Sequence, residues 1–196
     1  MTKQRTGARL ERIRFVLERR QKDLALVLSN IHDRHNVSAI YRSCDAFGVP
    51  EVYLYYNEVS FPVLAESSSA SARKWVRTVR YNSREELFAA LKSKGMQVYA
   101  TSFSTRAKPL GTFDFTRPSA VILGNEHSGV SPELAVQADY ELYVPMFGMI
   151  QSFNVSVAAA IILYEAARQR MAAGYYASPR YSEAELTTFF EEWSAW

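Results

Sequence analysis

Cysteine is almost absent from this chain of 196 residues, and long apolar runs are missing. Cys44 is the only cysteine, which excludes an internal disulfide and is typical of proteins in a reducing cytosol. The longest apolar run, residues 157–164, is far too short to cross a bilayer, and the first residues show no apolar signal core. We therefore expect a soluble, cytoplasmic protein without a membrane partner.

Glycine and histidine are scarce as well. The eight glycines never form the G-x-G-x-x-G pattern of a dinucleotide-binding loop. Gly124 and Gly129 are spaced as in a phosphate-binding loop, but Val130-Ser131 stands where Lys and then Ser or Thr are required. Three histidines and one cysteine offer few ligands for zinc, and the G-x-S-x-G of many serine hydrolases is missing. The sequence therefore predicts no metal site, no dinucleotide-binding loop, no phosphate-binding loop and no serine hydrolase of the G-x-S-x-G type.

Positive charge is concentrated at the start of the chain. The net charge is +3, yet residues 1–22 alone carry eight Lys and Arg against two Glu. Apolar residues recur there at helical spacing, so this segment is predicted to be a basic helical arm. Such an arm is either simply solvated or bound to a nucleic acid backbone. The arginines that would contact RNA phosphates are Arg9, Arg12, Arg19 and Arg20.

Apolar runs alternate with amphipathic stretches along the rest of the chain. This alternation predicts one α/β domain, 1–196, with a parallel sheet flanked on both faces by helices. The Ser-rich stretch 66–72 has no hydrophobic period and is predicted to be a loop. Five strands are predicted, at 24–28, 52–56, 96–101, 120–123 and 140–144.

A helical extension is predicted at the end of the chain, from about 175 to 196. Ser182 and Glu185 have the spacing of a capping box. The helix that follows carries an apolar stripe with no obvious place within the chain, so we expect it to pack on a second subunit in a homodimer. The stripe consists of Leu186, Phe189, Phe190 and Trp193.

Polar residues gather in three segments, 35–42, 123–129 and 145–154, two of which directly follow predicted strands. Ligands of parallel α/β sheets bind at the carboxyl ends of the strands, so these segments are the candidate site. Each also has an ordinary explanation. Arg42 and Glu126 could be solvated surface charges, and Asn154 could do no more than cap a helix.

The order and spacing of the three segments resemble the signature motifs of the SpoU family of RNA ribose methyltransferases, and IQSFNVSV at 150–157 is the most distinctive string. Segments 72–76 and 164–170 also resemble the branch that methylates guanosine 18 in the tRNA D-loop. The resemblance implies an SPOUT fold with a carboxyl-terminal trefoil knot at about 120–165. It also implies a homodimer, S-adenosylmethionine as cofactor and tRNA as substrate.

The resemblance implies roles for individual residues. Arg42 is expected nearest to the ribose 2′-hydroxyl, and Phe153 replaces the leucine usual in the family without removing an apolar contact. His127 occupies a variable position and is expected to be an exposed loop residue outside the site. The implied catalytic residues are Asn36, Arg42, Glu126, Ser152 and Asn154. The implied cofactor residues are Thr101, Leu123, Gly124, Val144, Met146, Ile150 and Phe153.

Three alternatives remain open. The first is the same reaction on another tRNA or rRNA nucleotide. The second is an RNA-binding protein that keeps the fold without catalysis, which would be expected to lack Arg42 or Asn154, although both are present. The third is a flavodoxin-like small-molecule enzyme, which would need neither the basic arm nor the third motif.

Overall fold

One parallel sheet organises the chain. The computed structural model describes residues 6–58, 60–61 and 72–196. In these residues the strands are β1 (Leu24–Ser29), β2 (Glu51–Tyr55), β3 (Arg77–Tyr81), β4 (Gln97–Thr101), β5 (Lys108–Pro109), β6 (Ser119–Leu123) and β7 (Tyr140–Tyr143). Their order across the sheet is β3-β2-β1-β6-β4-β7-β5, and every neighbouring pair is parallel.

Helices cover both faces of the sheet. They are α1 (Gly7–Leu17), α2 (Arg34–Ala46), α3 (Ala72–Trp75), α4 (Arg84–Ser93), α5 (Pro132–Ala135), α6 (Val155–Ala172) and α7 (Glu183–Ala195). Side chains of β1 alternate between the two faces, so Leu26 packs with residues of α2 and α6, whereas Val27 packs with residues of α4. No helix in the described ranges is long and apolar enough to span a membrane.

The ends of α2 are fixed by local chemistry, and this matters because α2 carries two of the implied catalytic residues. Asp33 caps the helix by accepting a hydrogen bond from the backbone nitrogen of His35 at 2.8 Å. Gly48 ends it with a φ of +77°, and a Cβ there would lie 2.7 Å from the carbonyl oxygen of Arg19. The predicted glycine stop is confirmed, and it sets α2 against the end of the arm.

The five predicted strands are confirmed, but β3 and β5 were not predicted. These two strands form the two edges of the sheet. β3 is partly exposed along its length and β5 has two residues, so neither shows the continuous apolar run of a strand buried on both faces. Of the predicted Ser-rich loop, residues 66–71 lie outside the described residues, and Ala72 begins α3.

The expectation that the stripe of α7 needs a second subunit is wrong. α7 packs on α1, where Trp193 contacts Ile13 and Leu17. Leu186, Phe189 and Phe190 are half-buried against the same cluster. Periodicity showed that this stripe must be covered, but it did not show that the apolar face of the arm, far away in the sequence, covers it.

The prediction that Arg20 contacts RNA is also wrong, because its side chain is 1% exposed. Its Nη2 donates to Asp45 Oδ1 at 2.6 Å and to the carbonyl oxygen of Trp75 at 3.0 Å, and Nη1 donates to the carbonyl of Val49 at 3.3 Å. The guanidinium also lies 5.2 Å from the ring centre of Trp193. Arg20 therefore joins the end of the arm to the end of α2.

Candidate active site

A cavity of about 640 Å³ opens at the carboxyl ends of β4, β6 and β7. It is lined by residues 101–103, 123–130, 142–144, 146, 151–155, 158 and 162. This volume is typical of a site for a small organic ligand. A second cavity beside Arg106 and Lys108 holds only about 110 Å³, which is too small for such a ligand.

Six of the seven implied cofactor residues line the large cavity: Thr101, Leu123, Gly124, Val144, Met146 and Phe153. Ile150 does not line it, and its side chain is 71% exposed. His127 is exposed as expected, yet it does line the cavity.

The loop after β6 folds back on itself in a way that only glycine permits. A Cβ on Gly124 would lie 1.9 Å from the carbonyl carbon of Gly129 and 2.1 Å from the nitrogen of Val130. Asn125 and Gly129 exchange two backbone hydrogen bonds, of 3.1 and 2.9 Å. The backbone of Gly129 and Val130 therefore packs directly on Gly124, where any side chain would clash.

Asn125 is a positioning residue that the sequence analysis missed. Its Oδ1 accepts hydrogen bonds from the backbone nitrogens of His127 and Ser128, at 2.8 and 3.3 Å. Its Nδ2 donates to the carbonyl oxygen of Asn30 at 2.8 Å, which ties this loop to the loop after β1. An Asn at the start of a loop often bonds to the backbone two residues on, and that signal could have identified it.

A chain of side-chain hydrogen bonds links the three motif segments. Asn36 Nδ2 donates to Glu126 Oε1 at 2.9 Å, and Asn154 Nδ2 donates to Asn36 Oδ1 at 3.0 Å. Asn154 Oδ1 in turn accepts from the backbone nitrogen and Oγ of Ser156, at 2.8 and 2.6 Å. The structure thus brings together Asn36, Glu126 and Asn154, while Ser152 lies exposed at the cavity wall.

Glu126 anchors this network as a carboxylate. Its oxygens also accept from the backbone nitrogens of His32 and Asp33, at 3.1 and 3.2 Å. Partial burial alone would raise the pKa of Glu126, but the hydrogen bonds from Asn36 and the backbone outweigh it and hold that pKa below its ordinary value. Glu126 is therefore ionised at neutral pH and fixes Asn36 and the loop after β1.

Arg42 is separate from these residues. It lies six residues after Asn36, about 9 Å further along α2, and does not line the cavity. Its side chain is exposed and makes no hydrogen bond or ion pair with any other residue that the structure describes. One copy of the chain therefore does not bring Arg42 to the other implied catalytic residues.

The remaining RNA-contact candidates lie on α1 and just after it. Arg9 and Arg12 are exposed. Arg19 is half-exposed, and its Nη1 lies 3.6 Å from Glu18 Oε2.

Within the described ranges no group of three His, Cys, Asp or Glu side chains is placed to hold a metal ion.

Comparisons with known proteins agree with this geometry. A family model described as the SpoU rRNA Methylase family matches residues 23–164. A tRNA (guanosine(18)-2′-O)-methyltransferase of Thermus thermophilus is 44% identical over 191 residues, which are 97% of this chain and 98% of the relative.

Solved structures show the same likeness. The crystal structure of the A. aeolicus TrmH/SpoU tRNA modifying enzyme superimposes with a TM-score of 0.89 and 41% identity, covering 96% of this chain and 95% of the other. The SpoU methyltransferase AviRb from Streptomyces viridochromogenes, solved in complex with the cofactor AdoMet, gives a TM-score of 0.69 and 26% identity, covering 79% and 62%.

Proposed function

This chain belongs to the SpoU methylase family, and we propose that it transfers a methyl group from S-adenosylmethionine to the ribose 2′-hydroxyl of guanosine 18 in tRNA. The observation that carries this proposal is the meeting of Asn36, Glu126 and Asn154, one from each motif, beside a cavity of about 640 Å³. Relatives that match nearly the whole chain and are named for this reaction support it. A tRNA substrate would place the reaction in the cytoplasm.

The cavity fits S-adenosylmethionine. When bound, this molecule supplies a methyl group on a positively charged sulfur. The fold-back between Gly124 and Gly129 fixes the loop that forms one wall of the cavity, because the backbone of Gly129 and Val130 occupies the place of a Gly124 side chain. Leu123, Val144 and Phe153 give the cavity an apolar lining suited to an adenine ring.

The asparagine network would position the ribose. Each amide nitrogen carries two N–H donors, and Asn154 uses one of them on Asn36. The second donor of Asn154 has no partner among the described residues and can bond to a ribose or phosphate oxygen. Glu126 keeps Asn36 in place, and Ser152 supplies a further hydroxyl at the wall of the cavity.

Arg42 would stabilise charge at the attacking oxygen. The 2′-oxygen becomes more negative as it attacks the methyl group and its proton passes to solvent, so a fixed cation beside it favours the transition state. Electrostatic stabilisation is a better role than proton abstraction, because a guanidinium hardly ever deprotonates in a protein. Since Arg42 neither lines the cavity of its own chain nor bonds to the asparagine network, we infer that it enters the site of a second copy.

A homodimer would bring the second copy. The loop beside the cavity exposes Phe147 and Met149 almost completely, each at 99%. Val157, Tyr164 and Met171 follow at intervals of seven along α6 and are also exposed. Apolar surface of this extent is typical of a protein interface, and a two-fold dimer would bury it on both copies.

The trefoil knot is part of the same proposal. β6 follows β4 and β5 in the chain but lies between β1 and β4, and β7 then lies on the far side of β4. This crossing supports a threaded path between about residues 120 and 165, as the family resemblance implies. A knot would hold the two cavity loops, 123–130 and 142–153, against each other.

Mapping of the methylated nucleotide tests the reaction. The protein is incubated with labelled S-adenosylmethionine and an unmodified tRNA transcript, and we expect one 2′-O-methyl group at guanosine 18. Methylation at another tRNA position, or of rRNA alone, would contradict the proposed nucleotide. RNA binding without any transfer would indicate a protein that keeps the fold without catalysis.

A further inference from the structure

The outer surface of α1 carries an exposed aromatic ring between two arginines. Phe15 is 45% exposed. The guanidinium carbon of Arg19 lies 3.7 Å from the centre of its ring, and that of Arg12 lies 5.2 Å away. Arg19 also donates from Nη1 to the carbonyl oxygen of Phe15 at 2.9 Å, which holds its side chain along the helix.

Helical spacing places Phe15 between two charged stripes of the arm. Arg12 lies three residues before Phe15 and Arg19 four residues after it, just past the end of α1, so both arginines adjoin the ring on one side. Glu11 and Glu18 lie four residues before and three residues after Phe15, so they border the ring on its other side.

Phe15 has no evident part in holding the fold together. The apolar side of α1 is already covered, because Ile13 and Leu17 pack on α7 in a cluster that does not include Phe15. Arg12 makes no ion pair with any described residue, and the one ion pair of Arg19 is the 3.6 Å contact with Glu18. The ring and both cations are thus available to an external partner.

We propose that Phe15 stacks on an unpaired base of the RNA substrate, while Arg12 and Arg19 contact the phosphates beside that base. The inference rests on the proposed tRNA substrate and adds a base contact to the arm. Arg19 covers one side of the ring at stacking distance. Arg12, which is exposed and has no ion pair with a described residue, would swing away from the ring to admit the base and contact its phosphate. An unpaired base is required because a paired base in a helix already has neighbours on both of its faces.

Salt dependence separates stacking from phosphate contact. Each phosphate contact releases counterions and adds about 0.7 to 0.9 to the slope of log affinity against log salt concentration. Stacking of a base on an aromatic side chain releases none. Truncation of Phe15 should therefore lower RNA affinity at every salt concentration without changing the slope.

The experiment compares Phe15→Ala, Phe15→Leu and Phe15→Trp with the wild-type protein, with Val136→Ala as a control for loss of an exposed apolar side chain outside the arm. The probes are an unmodified tRNA transcript and a fully paired RNA duplex of similar length. Phe15→Ala and Phe15→Leu should weaken tRNA binding by about 5- to 100-fold with an unchanged salt slope. Phe15→Trp and Val136→Ala should bind tRNA like the wild type, and duplex binding should not change in any variant.

Four results would overturn the stacking proposal: unchanged tRNA affinity in Phe15→Ala, wild-type affinity in Phe15→Leu, equal losses on tRNA and duplex, or a change in oligomeric mass. Methyl transfer to tRNA is measured in parallel, so that a failure of the stacking proposal can be distinguished from a failure of the proposed methyltransferase activity. Selective loss of tRNA binding in Phe15→Ala supports stacking even if the wild-type protein transfers no methyl group. Normal methylation with normal binding by Phe15→Ala would refute stacking alone.

Discussion

Asn154 serves two purposes at the start of α6. It caps the helix by accepting from the nitrogen of Ser156, and it donates to Asn36 in the network at the cavity. The capping explanation of Asn154 is therefore confirmed, and the same amide also bonds to Asn36. The cap and the network can be separated experimentally, because the cap uses Oδ1 of Asn154 and the network uses its Nδ2.

Replacement of Asn154 should separate the cap from the network. Asn154→Ser keeps a capping oxygen, so the free energy of unfolding should change little, whereas Asn154→Ala should lose about 1 kcal/mol. Both variants lack the amide N–H and should lose about tenfold to a hundredfold in single-turnover methyl transfer. Urea unfolding and rapid-quench kinetics measure the two effects. A serine variant with full activity would show that Asn154 is only a cap.

Arg42 should affect chemistry and not folding. Its side chain is exposed and unpaired among the described residues, so Arg42→Ala should shift the free energy of unfolding by less than about 0.5 kcal/mol. The same variant should bind S-adenosylmethionine normally and lose at least about a hundredfold in the chemical step. Arg42→Lys keeps the charge and shows whether the planar guanidinium is needed. Near-normal transfer by Arg42→Ala would remove Arg42 from the catalytic residues.

At the scale of the secondary-structure elements, the sequence predicts those strands whose side chains are buried on both faces of the sheet. β1 and β6 are continuous apolar runs because helices cover both sides of the central strands. The edge strands β3 and β5 were missed because an edge strand needs no such run. Two of the predicted motif segments, 123–129 and 145–154, contribute to the wall of the cavity. The burial of Arg20 and the contacts of Asn125 depend on residues distant in the sequence, so the motifs could not reveal them.

The packing of α7 on α1 can be tested by its contribution to the free energy of unfolding. Trp193 is 8% exposed within the cluster, whereas Trp196 is 45% exposed beside it. Trp193→Ala should lower the free energy of unfolding by about 3–5 kcal/mol, the usual loss for a buried large aromatic side chain. Trp196→Ala should cost much less, and urea unfolding of both variants measures the difference. Equally small losses would mean that α7 finds its partner elsewhere.

For the whole molecule, the proposed role of Arg42 depends on the proposed dimer, because Arg42 does not line the cavity of its own chain. Light scattering should give twice the chain mass of 22.3 kDa. Phe147→Glu with Met149→Glu should produce inactive monomers, because two carboxylates would enter the apolar interface. Val136→Glu, at an apolar but separate exposed position, should leave the mass unchanged. A wild-type monomer at micromolar concentration would contradict the dimer.

Mixed dimers test whether the site is shared between copies. Arg42→Ala and Asn154→Ala should each keep no more than about a tenth of wild-type activity alone. If Arg42 acts in the partner's cavity, a mixed dimer contains one site with both residues intact, and random pairing should restore about a quarter of wild-type activity. If Arg42 acts within its own chain, both sites of the mixed dimer lack one residue and activity should stay at the level of the single variants.

The central claim is transfer to one ribose hydroxyl, and a single atom of the substrate tests it most directly. Two tRNAs are prepared that differ only at position 18, one with guanosine and one with 2′-deoxyguanosine. Each is incubated with the wild-type protein and labelled S-adenosylmethionine, and the incorporated label is counted. Both should bind with similar affinity, and only the guanosine 18 tRNA should accept a methyl group. Equal methylation of the 2′-deoxyguanosine 18 tRNA would contradict the account.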